Sequence, residues 1–270
     1  MVGHIEWVDF IPVPHHPRPG EVLHAPKSFT RAAGGGGVVA VVLAELGAEV
    51  DFFCALGDDA DGHAAADQLL ERGVRVHMAW RSEPTRRAMT LLEGHSERTI
   101  ITIGKRLDPL GSDALPWERL EQAEGVYFTA GDGEALRRAR AAGVLVASPR
   151  ARTALSHPGA VLDALVYSGN DRDEAQWAEL LQRRARIVVR TEGAAGGRWW
   201  SATGRSKAQG AFEGRWAAVA PRGEIRDTYG CGDSFAAGFT YALAGGASPA
   251  EAAAFGAACG ARCLTRAGAP

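Results

Sequence analysis

The sequence predicts an α/β protein: a mostly parallel sheet covered by helices on both faces, with a small β piece attached. Three observations carry this. Strand-like and helix-like segments alternate along most of the chain, two regions break that alternation, and two Ala-rich helices close it.

Short apolar and β-branched runs predict strands over residues 2–5, 50–55, 74–78, 126–129, 144–147, 164–167 and 187–191. Helical periodicity predicts helices over 37–46, 62–72, 133–142 and 173–184, then 233–243 and 248–265. Strands joined through helices pair in parallel, and a parallel sheet needs cover on both faces. Residues 9–30 depart from this, with Pro12, Pro14, Pro17 and Pro19. So do residues 85–103, where 88–92 and 98–102 alternate like a hairpin around a Gly94-His-Ser turn. The two departures are expected to form a small sheet projecting from the main body. No repeat, linker or low-complexity tract is present, so residues 1–270 read as a single domain with 9–30 and 85–103 as its appendage.

A chain of 270 residues with 46% hydrophobic and 23% charged residues is globular rather than disordered. A net charge of −2 argues against nucleic acid or a membrane surface as the main partner. The first residues carry Glu6 and Asp9 and no basic stretch, unlike a signal peptide, so a cytoplasmic protein is expected. Cys54, Cys231, Cys259 and Cys263 have no metal-site spacing and read as small buried residues in a reducing compartment.

The most informative stretch is Asp227-Thr-Tyr-Gly-Cys-Gly-Asp-Ser-Phe-Ala-Ala-Gly238. Gly230 and Gly232 form a turn that opens a helix. A helix start has unpartnered N–H groups and the positive end of the dipole, and glycines let an anion approach them. Asp233 stands at the mouth of that anion site, where a carboxylate is useful if it removes a proton from a group meeting a phosphate. An Asp-Ser pair after glycines is also an ordinary helix cap, so the turn alone leaves both readings open.

The wider pattern closely resembles the C-terminal signature of the ribokinase-like (PfkB) carbohydrate kinases. A second stretch is similar to the family's N-terminal signature: Ala33-Gly34-Gly35-Gly36-Gly37, an apolar helix, Leu46-Gly-Ala, a strand, then Gly57-Asp-Asp-Ala-Asp-Gly62. Asn170-Asp-Arg-Asp173 resembles the family's Asn-x-x-Glu motif, with Asp for Glu. Thr191-Glu-Gly-Ala-Ala-Gly196 resembles its nucleotide loop. The resemblance spans Gly3 to Gly268 and implies a Rossmann-like three-layer α/β/α fold with a β-sheet lid.

It also implies ATP-dependent phosphorylation of a hydroxyl on a sugar-like molecule. Asp233 would be the base, and Gly230, Cys231 and Gly232 the anion hole. Thr191, Gly193, Gly196, Asn170, Cys259 and Gly268 would contact the nucleotide, while Asn170 and Asp173 position Mg²⁺ through water. Gly34, Gly35 and Gly36 would line the substrate pocket with bare backbone N–H groups, and Glu6, Asp9 and Arg87 are further substrate contacts. A monovalent cation such as K⁺ near Asp227 and a homodimer through the lid belong to the same expectation.

Two family contacts to sugar hydroxyls are absent: Val8 and Val38 stand where Asp and Asn are usual. Arg86, Arg87 and Arg98 lie on the expected lid, where they would face an anionic substrate. Two rival readings are a nucleoside or vitamin-alcohol kinase, with Trp7 or Phe10 as stacking platform, and a non-catalytic ligand-binding regulator. The second would mark itself by loss of the base, and Asp233 is present.

Overall fold

The computed structural model describes residues 1–93, 98–202, 213–268 and 270. The elements in chain order are β1 (Glu6–Val13), β2 (Phe29–Ala33), α1 (Gly34–Glu45), β3 (Val50–Gly57), α2 (Ala60–Glu71), β4 (Val74–Arg81), β5 (Arg87–Glu93) and β6 (Arg98–Ile103). They continue with β7 (Gly125–Phe128), α3 (Gly133–Ala139), β8 (Val144–Ala147), α4 (Arg152–Ser156), β9 (Leu162–Ser168), α5 (Arg172–Leu181) and β10 (Ala185–Thr191). The last are β11 (Gly197–Ser201), β12 (Glu213–Trp216), α6 (Cys231–Ala244) and α7 (Pro249–Cys263).

The central sheet runs β12-β11-β10-β9-β8-β7 and continues into β3-β4 through Val2, which bridges parallel to both Phe128 and Phe53. β7 to β10 and β3–β4 are parallel, while β11 and β12 are antiparallel additions. One face buries α1, α2, α6 and α7 through residues such as Val39, Leu69, Phe235 and Ala252. The other buries α3, α4 and α5 through Leu136, Leu155 and Ala178. The fold is therefore the three-layer α/β/α arrangement expected.

β2-β1-β5-β6 form a separate sheet. The hairpin expected over 88–92 and 98–102 is β5–β6, paired antiparallel; its Gly94-His-Ser turn lies outside the described residues. One expectation is corrected. The first strand is not residues 2–5: only Val2 bridges the central sheet, and β1 begins at Glu6 in the other sheet. The alternation Glu6, Val8, Phe10 (buried) against Trp7, Asp9, Ile11 (partly exposed) is the half-buried strand pattern. Pro12 is tolerated near the strand's end. β11 and β12 were not anticipated.

Candidate active site

The turn before α6 is held from below. Buried Asp227 accepts hydrogen bonds from Tyr229 N (2.7 Å) and from Gly268 N. Gly230 then caps α6 with φ of 74°, a conformation open to glycine. A side chain at Gly232 would meet nothing within 4 Å, so this side of the turn faces an open cleft. The first-turn N–H groups of α6 lack intrahelical partners, as at any helix start, and of these Cys231 N makes a long bond to the Thr228 carbonyl (3.4 Å).

Across the cleft lies the glycine run, which is the first turn of α1 and not a loop. A Cβ at Gly35 would lie 3.2 Å from Asp233 Oδ1, 3.4 Å from His4 Cε1 and 3.6 Å from Thr129 Oγ1. Gly35 thus lets the Asp233 carboxylate, an imidazole and a hydroxyl converge on one point. The expectation that this run offers N–H groups to substrate is corrected. Gly34 N donates to Tyr229 Oη (3.3 Å), Gly35 N to His4 Nε2 (3.4 Å) and Gly36 N to the His4 carbonyl (3.0 Å). A buried helix start must satisfy its N–H groups, and His4 and Tyr229 do so here.

The electrostatics follow from burial. Asp233 is pushed above the ordinary carboxylate range by desolvation, with the Arg150 and Arg98 guanidinium groups pulling it back. Burial, reinforced by Arg106, Arg150 and Arg86, holds His4 well below its usual range and hence neutral. With Nε2 accepting from Gly35, the remaining ring proton sits on Nδ1, which is buried and has no hydrogen-bond partner. Glu6 is raised by burial against the pull of Arg86, its ion-pair partner at 3.0 Å.

Of the other expected substrate residues, only Glu6 shares the cleft, its Cγ lying 3.1 Å from the Cβ position of Gly34. Asp9 and Arg87 pair with each other at 2.8 Å on the opposite face of β1. Asp9 also accepts from Thr30 Oγ1, and period-two geometry cannot bring it to Glu6's side. Val8 and Val38 are buried in the apolar core at 0% and 1% exposure.

The residues expected on the nucleotide side gather at the C-terminal ends of β9 and β10. Asn170 Nδ2 lies 3.1 Å from the Cβ position of Gly193, which brings this motif against the Thr191–Gly196 loop. Thr191 Oγ1 donates to the Tyr167 carbonyl (3.4 Å). Glu192, where Leu is commoner, faces Arg190, Arg198 and Arg215 within 3.7 Å. The cap of α5 is Asp171, which accepts from Glu174 N, and Asp173 is exposed. The carboxylate turned inward is Glu174, which pairs with Arg150 at 2.5 Å and accepts from Ser168 N.

Cys259 Sγ lies 2.6 Å from the Cβ position of Gly238, so it serves the packing of α7 on α6. Gly268 packs on Phe29 and Phe10, and its N–H donates to Asp227. The Cys231 thiol is no activated thiolate: its hydrogen bond with Cys263 and its burial both push it up. Sequence reading missed His4, Thr129, Arg150 and Glu174. Glu174 alone left a signal, as a carboxylate one residue beyond the expected spacing.

Fold and site together define a class, the α/β small-molecule kinases of ribokinase fold. Residues 1–154 and 161–270 match the model of the pfkB family carbohydrate kinases, and the chain belongs to that family, whose members are phosphotransferases with an alcohol acceptor. A ribokinase of Arabidopsis thaliana is 23% identical over 290 aligned residues, covering 98% of this chain and 75% of the relative. Its structure with ribose and ATP superposes with a TM-score of 0.74 at 22% identity, over 99% of this chain and 92% of that one. A microbiome-derived acarbose kinase gives 0.79 at 24% identity, over 99% and 92%. Phosphofructokinase-2 of Escherichia coli, solved with potassium, gives 0.71 at 18%, over 99% and 92%. No helix among the described residues is long and apolar enough to cross a membrane.

Proposed function

We propose that this protein is an ATP-dependent kinase that phosphorylates a hydroxyl of a sugar or sugar-like molecule. The observation that carries this is the convergence of Asp233 Oδ1, His4 and Thr129 beside the glycine turn that opens α6. Asp233 accepts the proton of the acceptor hydroxyl. The N–H groups around Gly230, Cys231 and Gly232 stabilise charge on the transferred phosphoryl group. Neutral His4 offers a hydrogen bond to substrate from Nδ1 without adding charge.

The Thr191–Gly196 loop and Asn170 hold the nucleotide. Asn170 and exposed Asp173 are hard oxygen donors suited to a largely hydrated Mg²⁺, which neutralises phosphate charge. Asp227 suits one ligand position for K⁺, since each oxygen accepts a single N–H bond and keeps a lone pair. The small sheet serves as a lid over the cleft and excludes water. Four cysteines without disulfides suit the cytoplasm.

The nucleoside or vitamin-alcohol reading gains nothing from the geometry. Phe10 is buried against Phe29 and Tyr229, and Trp7 lies on the other face of β1. Family membership sets the regulator reading aside. Of the three lid arginines, Arg86 and Arg87 are spent on Glu6 and Asp9, which leaves Arg98, donating to Thr228 Oγ1, as the one that could meet an anionic substrate.

A screen of sugars and polyols for acceptor-dependent ADP release tests the reading. Ribose and fructose are expected to be poor acceptors. Val8 and Val38 are closed into the apolar core, so neither position offers a polar side chain to a sugar hydroxyl, and each hydroxyl left unpaired for want of one costs about 1–3 kcal/mol. Two such losses lower kcat/KM roughly 10²-fold. Efficient turnover of either sugar removes the importance given to these valines.

The exposed edge strand β6 presents Ile100, Ile101 and Ile103 at 42%, 50% and 50% exposure. Such an edge favours pairing with a second copy. A lid-to-lid homodimer is therefore expected in sedimentation velocity at micromolar concentration, and a monomer there refutes it.

A further inference from the structure

We propose that Arg150 is a catalytic residue that contacts the phosphoryl group during transfer. The proposal rests on the kinase reading and deepens it.

The sheet order carries the argument. β8 lies between β9 and β7. The nucleotide-side residues follow β9 and β10. Thr129 follows β7, with Asp233 Oδ1 beside it. A phosphoryl group moving from the nucleotide loop to a hydroxyl held at Asp233 must pass over the end of β8. Arg150 stands there, two residues beyond Ser148.

Its backbone is fixed on both sides. Arg150 N donates to Ser148 Oγ (3.0 Å), and its carbonyl accepts from Arg106 Nη1 (3.2 Å). Its side chain is aimed by two carboxylates, with Nε on Glu174 Oε1 at 2.5 Å and Nη2 on Asp171 Oδ2 at 3.3 Å. Even so, the side chain is 52% exposed, so part of the donor fork remains open to solvent. Asp233 senses Arg150 as the stronger of its two opposing charges, ahead of Arg98. Arg98 reaches the other side of the cleft from β6, where it donates to Thr228 Oγ1.

Phosphoryl transfer spreads negative charge over the equatorial oxygens, and a planar guanidinium fork binds two such oxygens at once. A purely structural clamp between β8 and α5 would explain the ion pairs equally well. The two roles separate experimentally.

The test measures binding of Mg²⁺ with β,γ-methylene-ATP and with ADP by calorimetry, for wild type, Arg150→Ala and Arg150→Lys. Arg150→Ala is expected to weaken the triphosphate analogue about tenfold and ADP less than about twofold. With an active acceptor, kcat should fall roughly 10²-fold or more while acceptor KM stays within about threefold. Added guanidinium should restore part of the lost rate. Equal losses for the analogue and ADP, or unchanged kcat, overturn the proposal. If the Ala variant does not fold, Arg150→Lys decides: retained wild-type kcat and nucleotide preference overturn it, and a loss confined to the analogue and to kcat supports it. A wild-type protein that binds neither nucleotide overturns the kinase reading, and this proposal falls with it.

Discussion

Asp233→Asn is expected to cut kcat by a factor of about 10² or more while leaving Mg-ATP affinity and the fold intact. The amide is nearly isosteric with the carboxylate, so the convergence around Gly35 survives. It cannot take the proton of an acceptor hydroxyl. Near-normal turnover would sink the base assignment. The wild-type pH profile supplies a second readout. The base works only when deprotonated, and burial raises its pKa against the pull of Arg150 and Arg98. Activity should therefore rise with pH through a midpoint above the ordinary carboxylate range, and Asp233→Asn should abolish that limb. Stability runs the other way. A carboxyl raised in the folded state costs stability above its folded pKa, where it is charged in a desolvated place, and the cost disappears as pH falls below the unfolded value. At neutral pH the Asn variant should melt no lower than wild type. A clear drop would mean that Asp233 is a structural anchor.

Much of this protein could be read from local pattern, and what could not depended on contacts distant in the chain. The parallel strands were legible because β7 to β9 are largely buried on both faces and read as short apolar runs. The glycine turn at 230–232 was legible because glycine spacing and a following helix are local facts. β1 was misplaced because the chain leaves the central sheet after Val2, and only pairing with β2 and β5 determines that. Glycines 34–36 read as a run with free N–H groups ahead of a helix starting at residue 37, yet they sit in that helix, whose first N–H groups are satisfied by His4 and by Tyr229, 195 residues away from Gly34. No propensity scale contains that partner. Arg150 and Glu174 escaped notice for a similar reason. Each is an ordinary charged residue until β8 and β9 stand side by side. Cys259 was legible only as a small residue on a helix; that it packs against Gly238 on α6 depends on the pairing of the two helices.

Gly36→Ala is expected to be the most damaging single methyl group in the glycine run that opens α1. A Cβ there would lie 2.3 Å from the His4 carbonyl oxygen, 2.9 Å from Phe52 Cζ and 3.1 Å from His4 N. Two of these are backbone atoms, and the carbonyl already accepts from Gly36 N at 3.0 Å. Relief by rotating a flexible side chain is not available. α1 is buried from Gly36 to Val42, with Val38 to Val42 in the main core, so the helix cannot back away without opening a void. Overpacking and the disturbed hydrogen bond are expected to cost about 3 kcal/mol, well above the helix-propensity gain of about 1 kcal/mol from glycine to alanine. A net loss of about 2 kcal/mol lowers Tm by roughly 4–8 °C in a chain of this size. Activity should fall as well, because the same shift displaces Gly35 and His4 from Asp233. Gly232→Ala is the matched control in the facing turn, where an added Cβ meets nothing within 4 Å. It should melt within about 1–2 °C of wild type while slowing turnover, since its methyl group enters the cleft that the phosphoryl group must reach. If Gly36→Ala melts like wild type, α1 is not pinned against the backbone of His4, and the convergence of Asp233, His4 and Thr129 on Gly35 loses its structural support.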